Sequence, residues 1–216
     1  MKQTEGTETA NISFDLGAAT MEYGNNAPYF QWGRKDPLPP STGMANANKP
    51  IYGTYTALNN MSTADIAVTI RTPYYFNSSN GNPSLELWDV GNTVTTVNVN
   101  PIVKSIYDPS PAGFHVPCSG AFQGWNESGR SYRQNTVGRQ GWFVYQLGPY
   151  MGDVVFFPVL GCRMGMASAA SEQYGYFWTA IPYSNSKGRL LFLEGSVAPE
   201  DESNRYYGYS VRPVIE

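Results

Sequence analysis

Short apolar runs separated by turn residues dominate the chain. Residues 11–16 (NISFDL) alternate apolar and polar, the period of a half-buried strand. Residues 141–147 (GWFVYQL) and 153–161 (DVVFFPVLG) predict two adjacent strands, and Pro158 inside the second marks a sheet edge or a bulge. Three more strands are predicted over 174–181 (YGYFWTAI), 189–195 (RLLFLEG) and 207–214 (YGYSVRPV). Helical periodicity is scarce. Residues 63–73 (TADIAVTIRTP) open on a capping threonine and stop at a proline, which suits one short helix, and 118–128 (CSGAFQGWNES) suits another. Residues 33–55 and 76–100 read as long irregular loops, which inside a compact domain tend to carry function.

Composition narrows the class. A length of 216 residues fits one large domain or two small ones, and no charge run, proline-rich hinge or polar tract divides the chain. Residues 1–10 are therefore expected to be a leader, either disordered or added when the protein was produced, and 11–216 a single ligand-binding domain. Charged residues make up only 14%, against a usual share of about 25%, so Asn, Ser, Thr, Gln and Tyr must supply much of the polar surface. Sixteen tyrosines and five tryptophans, set among Ser, Gly and Asn, resemble the composition of binding loops. The net charge is −3 and the 14 basic residues are scattered, which gives no electrostatic footprint for nucleic acid. No apolar run reaches the 18 residues of a membrane span. The opening MKQTEGTETA has no apolar signal core. We expect an exported domain whose native start lies elsewhere, with a cytoplasmic location as the competing reading.

Candidate chemistry is sparse. His115 is the single histidine, in AGFHVP, and a turn before a strand start suits a locally hydrogen-bonded residue better than the base of a catalytic triad. With one His and two Cys far apart, Cys118 and Cys162, no zinc-like ligand pair exists. The two cysteines suit a disulfide in an exported chain and equally suit two small buried hydrophobes. Glu200, Asp201 and Glu202 cluster in PEDES, but without a calcium-loop pattern they read as a solvated turn. No phosphate-binding glycine loop is present. No metal, no cofactor and no catalytic residue is assigned.

What remains is the aromatic tail. From 174 onward, plain strand residues such as Trp178, Leu190, Phe192 and Val211 are interleaved with tyrosines and polar side chains. Tyr207 and Tyr209 would share a strand face, with Gly208 on the other. Tyrosine offers large contact area, a polar tip and low entropic cost, so the set reads as a surface for recognition.

Several stretches together resemble one family in order along most of the chain. They are YFQWGRKDPLP (29–39), LWD (87–89), KSIYDPSPAGFHVP (104–117), FFPVLGCR (156–163), GYFWTA (175–180) and GYSVRPV (208–214). They are similar to the Fibrobacter succinogenes major paralogous domain family, extracytoplasmic domains of anaerobic gut bacteria that are often lipoproteins or parts of adhesive surface proteins. The resemblance implies an α+β, C-type-lectin-like fold: a small twisted, mostly antiparallel sheet with few short helices and long loops. Ser110 stands where the family often has cysteine, which leaves Cys118 and Cys162 without an inherited role.

The tail also resembles the variable region of diversity-generating retroelement target proteins of the same fold. That likeness implies a ligand-binding set of Tyr174, Tyr176, Tyr183, Asn185, Lys187, Arg189, Ser203, Asn204, Tyr206, Tyr207 and Tyr209. It implies a frame of Trp178, Leu190, Phe192, Gly195, Val197, Arg205, Gly208 and 211–214. The fold's enzymatic relative, the formylglycine-generating type, needs late cysteines, and the last one here is Cys162. The E-P-N, Q-P-D and W-N-D motifs of calcium-dependent sugar lectins are missing from the sequence. The expectation is a non-catalytic adhesin-type domain on a bacterial cell surface or pilus tip. Its partner would be a protein or glycan on another cell or host surface, with pilus subunits engaged through a preceding region. A carbohydrate-binding module of a surface lipoprotein and a structural pilus subunit are the alternatives.

Overall fold

The computed structural model describes residues 2–5, 8–11, 29–38, 60–61, 76–77, 85–94, 100–122, 130–134, 140–145, 154–164, 167–169, 174–194 and 197–216. In chain order the strands are β1 (Lys2–Glu5), β2 (Glu8–Asn11), β3 (Phe30–Gln31), β4 (Asn60–Met61), β5 (Phe76–Asn77), β6 (Phe114–His115), β7 (Arg130–Gln134) and β8 (Gln140–Tyr145). They continue with β9 (Val154–Pro158), β10 (Cys162–Met164), β11 (Ala167–Ala169), β12 (Gly175–Pro182), β13 (Lys187–Leu193), β14 (Val197–Asn204), β15 (Gly208–Val211) and β16 (Val214–Ile215). A 3-10 helix over Ser119–Phe122 is the one helix formed among the described residues.

The described residues are thus mostly strand with almost no helix, arranged in small sheets. The helix predicted over 63–73 lies outside the described residues. Of 118–128, only the 3-10 turn forms within them; its second position is Gly120, a poor helix former. The run at 141–147 becomes β8 and that at 153–161 becomes β9. They pair antiparallel, Gly141 opposite Pro158 through Tyr145 opposite Val154. Pro158 ends β9, an outer strand of the sheet β7–β8–β9, where its missing N–H does least harm. Of 11–16, only Asn11 falls in a described strand. The run at 207–214 breaks into β15 and β16 around Arg212 and Pro213.

The largest sheet has seven strands, in the order β11–β10–β15–β12–β13–β14, with β3 also paired to β15. Pairing is antiparallel except between β12 and β15, where Trp178 lies opposite Val211. β15 is therefore a hub: it meets β10 at Arg163–Gly208, β3 at Gln31–Gly208 and β12 at Phe177–Ser210.

The two central strands are buried on both faces, which is why they read as near-continuous apolar runs. Phe177, Leu191 and Leu193 join one cluster with Phe122, Trp142 and Phe157. Trp178 and Leu190 join the other with Trp32, Trp88, Val116 and Tyr209. Cys162 and Cys118 both pack as thiols in this second cluster. The indoles of the second cluster are satisfied by backbone carbonyls: Trp178 donates to Phe30 (2.8 Å), Trp32 to Thr179 (2.9 Å) and Trp88 to Arg34 (3.3 Å).

The turn motifs fix the edges of this core. In YDPSPAGFHVP the buried Asp108 carboxylate accepts from the N–H of Ser110 (2.7 Å) and of Val116 (2.9 Å). Lys104 donates its ammonium to the carbonyls of Ser110 (3.0 Å), Pro111 (2.7 Å) and Phe114. Gly113 adopts φ +80°, a conformation open to glycine, and releases the chain into β6. His115 follows that turn, half-buried, with its ring Nδ1 2.8 Å from the Val116 carbonyl.

Candidate functional site

The aromatic tail forms one connected set of rings. Cross-strand pairing sets Tyr176 opposite Phe192, so both stand on the Trp178 face of the sheet, and their rings stack at 4.9 Å and 25°. β15 runs beside β12 and lays the Tyr209 ring on the other side of Tyr176, at 4.8 Å and 10°. Trp178 meets Tyr209 at 4.6 Å. Tyr207 continues the row edge-on to Tyr209 at 6.2 Å, and Tyr206 meets Tyr207 at 4.7 Å and 73°. At the opposite end Tyr174 closes on Tyr176 at 6.2 Å and 81°.

Burial divides this row. Tyr174, Tyr176, Tyr206 and Tyr207 are half-buried. Tyr209 departs from the expectation of a gripping residue, because its side chain is only 2% exposed. Its ring sits between Tyr176 and Trp178, and its hydroxyl lies 2.7 Å from the Ser203 hydroxyl. Burial pushes the Tyr209 hydroxyl far above the usual tyrosine range and holds that of Tyr176 at about 12. Tyr209 thus belongs to the support beneath the row rather than to its exposed part. Tyr206 is tied to the fold by its carbonyl, which accepts from Gln31 Nε2 at 2.6 Å, and its hydroxyl accepts from Asn204 at 3.4 Å.

The remaining expected residues gather elsewhere. Along β13, Gly188, Leu190 and Phe192 share one face, so Lys187 and Arg189 alternate to the other. Glu202 stands opposite Arg189 in β14, and its carboxylate holds the Lys187 ammonium at 2.5 Å. Tyr183, at the β12–β13 bend, is 40% exposed and has the Arg189 guanidinium 4.9 Å above its ring. Arg189 itself is only 4% exposed, which also departs from a contact role. A hydrogen bond to Glu202 raises the Tyr183 hydroxyl. Burial pushes Glu202 upward, but the bonds from Lys187 and Tyr183 outweigh it and leave the carboxyl below its usual range. Asn185 is exposed at the tip, where the Ser184 hydroxyl accepts from the N–H of Ser186 (3.2 Å) and Lys187 (3.1 Å).

The structure therefore brings Tyr174, Tyr176, Tyr206, Tyr207 and Tyr209 into one row, with Ser203 and Asn204 bonded to two of its hydroxyls. It sets Tyr183, Asn185, Lys187 and Arg189 apart as a second, polar group. The acids expected in a solvated turn are a correction: Glu200, Asp201 and Glu202 lie in the strand β14, with Asp201 and Glu202 opposite Leu190 and Arg189 of β13. Two residues of the row were not expected as contacts. Phe192, expected as frame, stacks on Tyr176, and Glu194, two positions beyond it, accepts from the Tyr174 hydroxyl.

Of the expected frame, Trp178, Leu190, Arg205 and Gly208 are buried, and Arg205 stacks over Trp32 at 3.7 Å. Gly195 lies outside the described residues. A Cβ at Gly208 would come within 3.1 Å of both Arg163 and Tyr29, and one at Gly188 within 2.6 Å of Trp32. Both glycines are required by close approach across the sheet. Among the described residues no three His, Cys, Asp or Glu side chains converge as a metal site, and no helix is long and apolar enough to cross a membrane. No protein-family model matches the chain, and it matches no curated protein and no solved structure.

Proposed function

We propose that this chain is a non-catalytic, adhesin-type ligand-binding domain of C-type-lectin-like fold, displayed on a bacterial cell surface or pilus tip. It binds through the half-buried tyrosines of its C-terminal row, and that region is a diversified variable surface of the retroelement type. The observation that supports this reading most is the row itself. Four half-buried tyrosine rings lie over a support of Tyr209, Trp178 and Trp32, whose polar tips are already satisfied within the fold. Rigid aromatic contact area over a fixed base is what recognition surfaces need, because little side-chain entropy is lost on binding. The mostly strand content and the single mixed sheet are compatible with the fold that the sequence resemblance implies.

The test is surface binding by the full chain and by a Tyr174→Ala/Tyr207→Ala double variant. Fluorescently labelled protein is applied to panels of bacterial and host epithelial cells. The wild type is expected to bind a subset of surfaces, and the double variant to lose about tenfold or more in affinity at an unchanged melting temperature. Equal binding by both proteins would sink the proposal.

A further inference from the structure

Glu194 directly follows β13, and its carboxylate accepts a hydrogen bond from the Tyr174 hydroxyl, the main cause of that hydroxyl's rise above the usual tyrosine range. The Tyr174 ring stands at 81° to Tyr176 and at 58° to Phe192, while Tyr176 and Phe192 are within 25° of parallel. The three rings therefore make a corner with two differently oriented walls. Asp201 stands opposite Leu190 in the β13–β14 register, which puts it on the same sheet face as Phe192. After burial, Cys162 and Tyr174, the carboxylates of Glu194 and Asp201 also act on Tyr176 in the direction that disfavours a further negative charge. Of the neighbouring cations, Lys187 acts on Asp201 only from a distance, behind its direct bond to Glu202. Lys187 and Arg189 alternate to the opposite face, where Glu202 holds Lys187, and Arg205 is buried over Trp32. An aromatic corner rimmed by two carboxylates has the charge complement of a cation.

We propose that this corner binds a guanidinium group, the side chain of an arginine presented by a partner protein. The plane of the guanidinium lies against the Tyr174 ring, since Phe192 and Tyr209 already cover the two faces of Tyr176, and its charge faces Glu194 and Asp201. Guanidinium suits the site better than ammonium because it is planar, weakly hydrated and stacks on aromatic faces. This rests on the binding-domain reading above and names the chemistry of its partner. A neutral sugar could stack on the same rings, but its affinity would not follow the two carboxylate charges.

The probe is a short glycine–serine peptide carrying one arginine, compared with the same peptide carrying citrulline, which keeps the shape and removes the charge. Titration of the full chain is followed through the aromatic-ring NMR signals of Tyr174, Tyr176 and Phe192. The arginine peptide is expected to shift these signals and to bind about tenfold tighter than the citrulline peptide. Glu194→Gln and Asp201→Asn are each expected to remove part of that preference at an unchanged melting temperature. Tyr183→Ala, on the other face, is expected to leave it intact. Raising the salt from about 50 to about 500 mM should weaken the arginine peptide alone. Equal affinity for the two peptides, or full arginine preference in the Glu194→Gln/Asp201→Asn double variant, overturns the proposal. If a chitotriose probe shifts these ring signals and the arginine peptide does not, the guanidinium assignment falls and the binding surface stands. Cell binding that survives Tyr174→Ala/Tyr207→Ala overturns the parent reading instead.

Discussion

Replacing Tyr209 by alanine separates support from contact within the aromatic row. Tyr209 is 2% exposed, stacked on Tyr176 at 4.8 Å and packed on Trp178 at 4.6 Å. Truncating a large buried aromatic leaves a cavity and costs about 3–5 kcal/mol. For a chain of this size each kcal/mol moves the melting temperature by roughly 2–4 °C, so a fall of roughly 6–20 °C is expected. Tyr209→Phe keeps the ring and removes only the hydroxyl shared with Ser203, a loss of about 1 kcal/mol. Tyr174→Ala, at the outer end of the row, should leave the melting temperature within about 2 °C of the wild type. Differential scanning calorimetry on the three variants reads these differences directly. If Tyr209→Ala melts within about 2 °C of the wild type, Tyr209 is not part of the core, and the division of the row into support and contact collapses.

Three further outcomes follow from the geometry. Gly188→Ala should destabilise by about 1–3 kcal/mol in urea denaturation, because its Cβ would meet Trp32 at 2.6 Å and Trp178 at 3.1 Å. Glu202 titrates below its usual range in the fold, so its contribution is complete above the unfolded carboxylate value and is lost as pH falls through the folded one. Melting temperature against pH should therefore show an acid limb that Glu202→Gln flattens. Tyr176 is held at about 12, so its contribution is complete below the unfolded value of about 10 and is lost as pH rises between the two; Tyr176→Phe should flatten the alkaline limb of the same profile.

The strands that the sequence disclosed are those whose apolar residues run unbroken into two cores. Phe177 and Trp178 serve opposite clusters, as do Leu190 and Leu191, and that double burial writes itself into the sequence as GYFWTAIP and GRLLFL. β14 left no such mark. Its VAPEDESN is an outer strand of the large sheet, and acids on an outer strand discourage pairing with another chain while looking, in sequence, like a turn. The candidate site was legible as a set of tyrosines but not as a geometry. Alternation within β13 could place Arg189 and Leu190 on different faces, yet only the pairing of β13 with β14 shows that Glu202 answers Lys187. The burial of Tyr209 is hidden from the sequence for the same reason. Its neighbours Tyr176 and Trp178 come from another strand, and they turn a residue with a polar tip into core. Glu194 carries no sequence signal beyond its spacing from Phe192; its bond to Tyr174 arises only when β12 and β13 pair.

The hub position of β15 bears on how fast the protein can form. β3 pairs with β15, and the Gln31 side chain donates to the Tyr206 carbonyl across 175 positions of chain. Contacts of such separation must bear the loop-closure entropy before they return any stability, and chains dominated by them fold in milliseconds to seconds rather than microseconds. Until β15 docks, β3 has no strand partner and β10 and β12 each keep one edge unpaired, so the apolar runs of the central sheet remain open to other chains. The strand that underlies the tyrosine row thus also carries the longest-range closure of the sheet, so changes beneath that row should be felt in yield and aggregation as well as in binding.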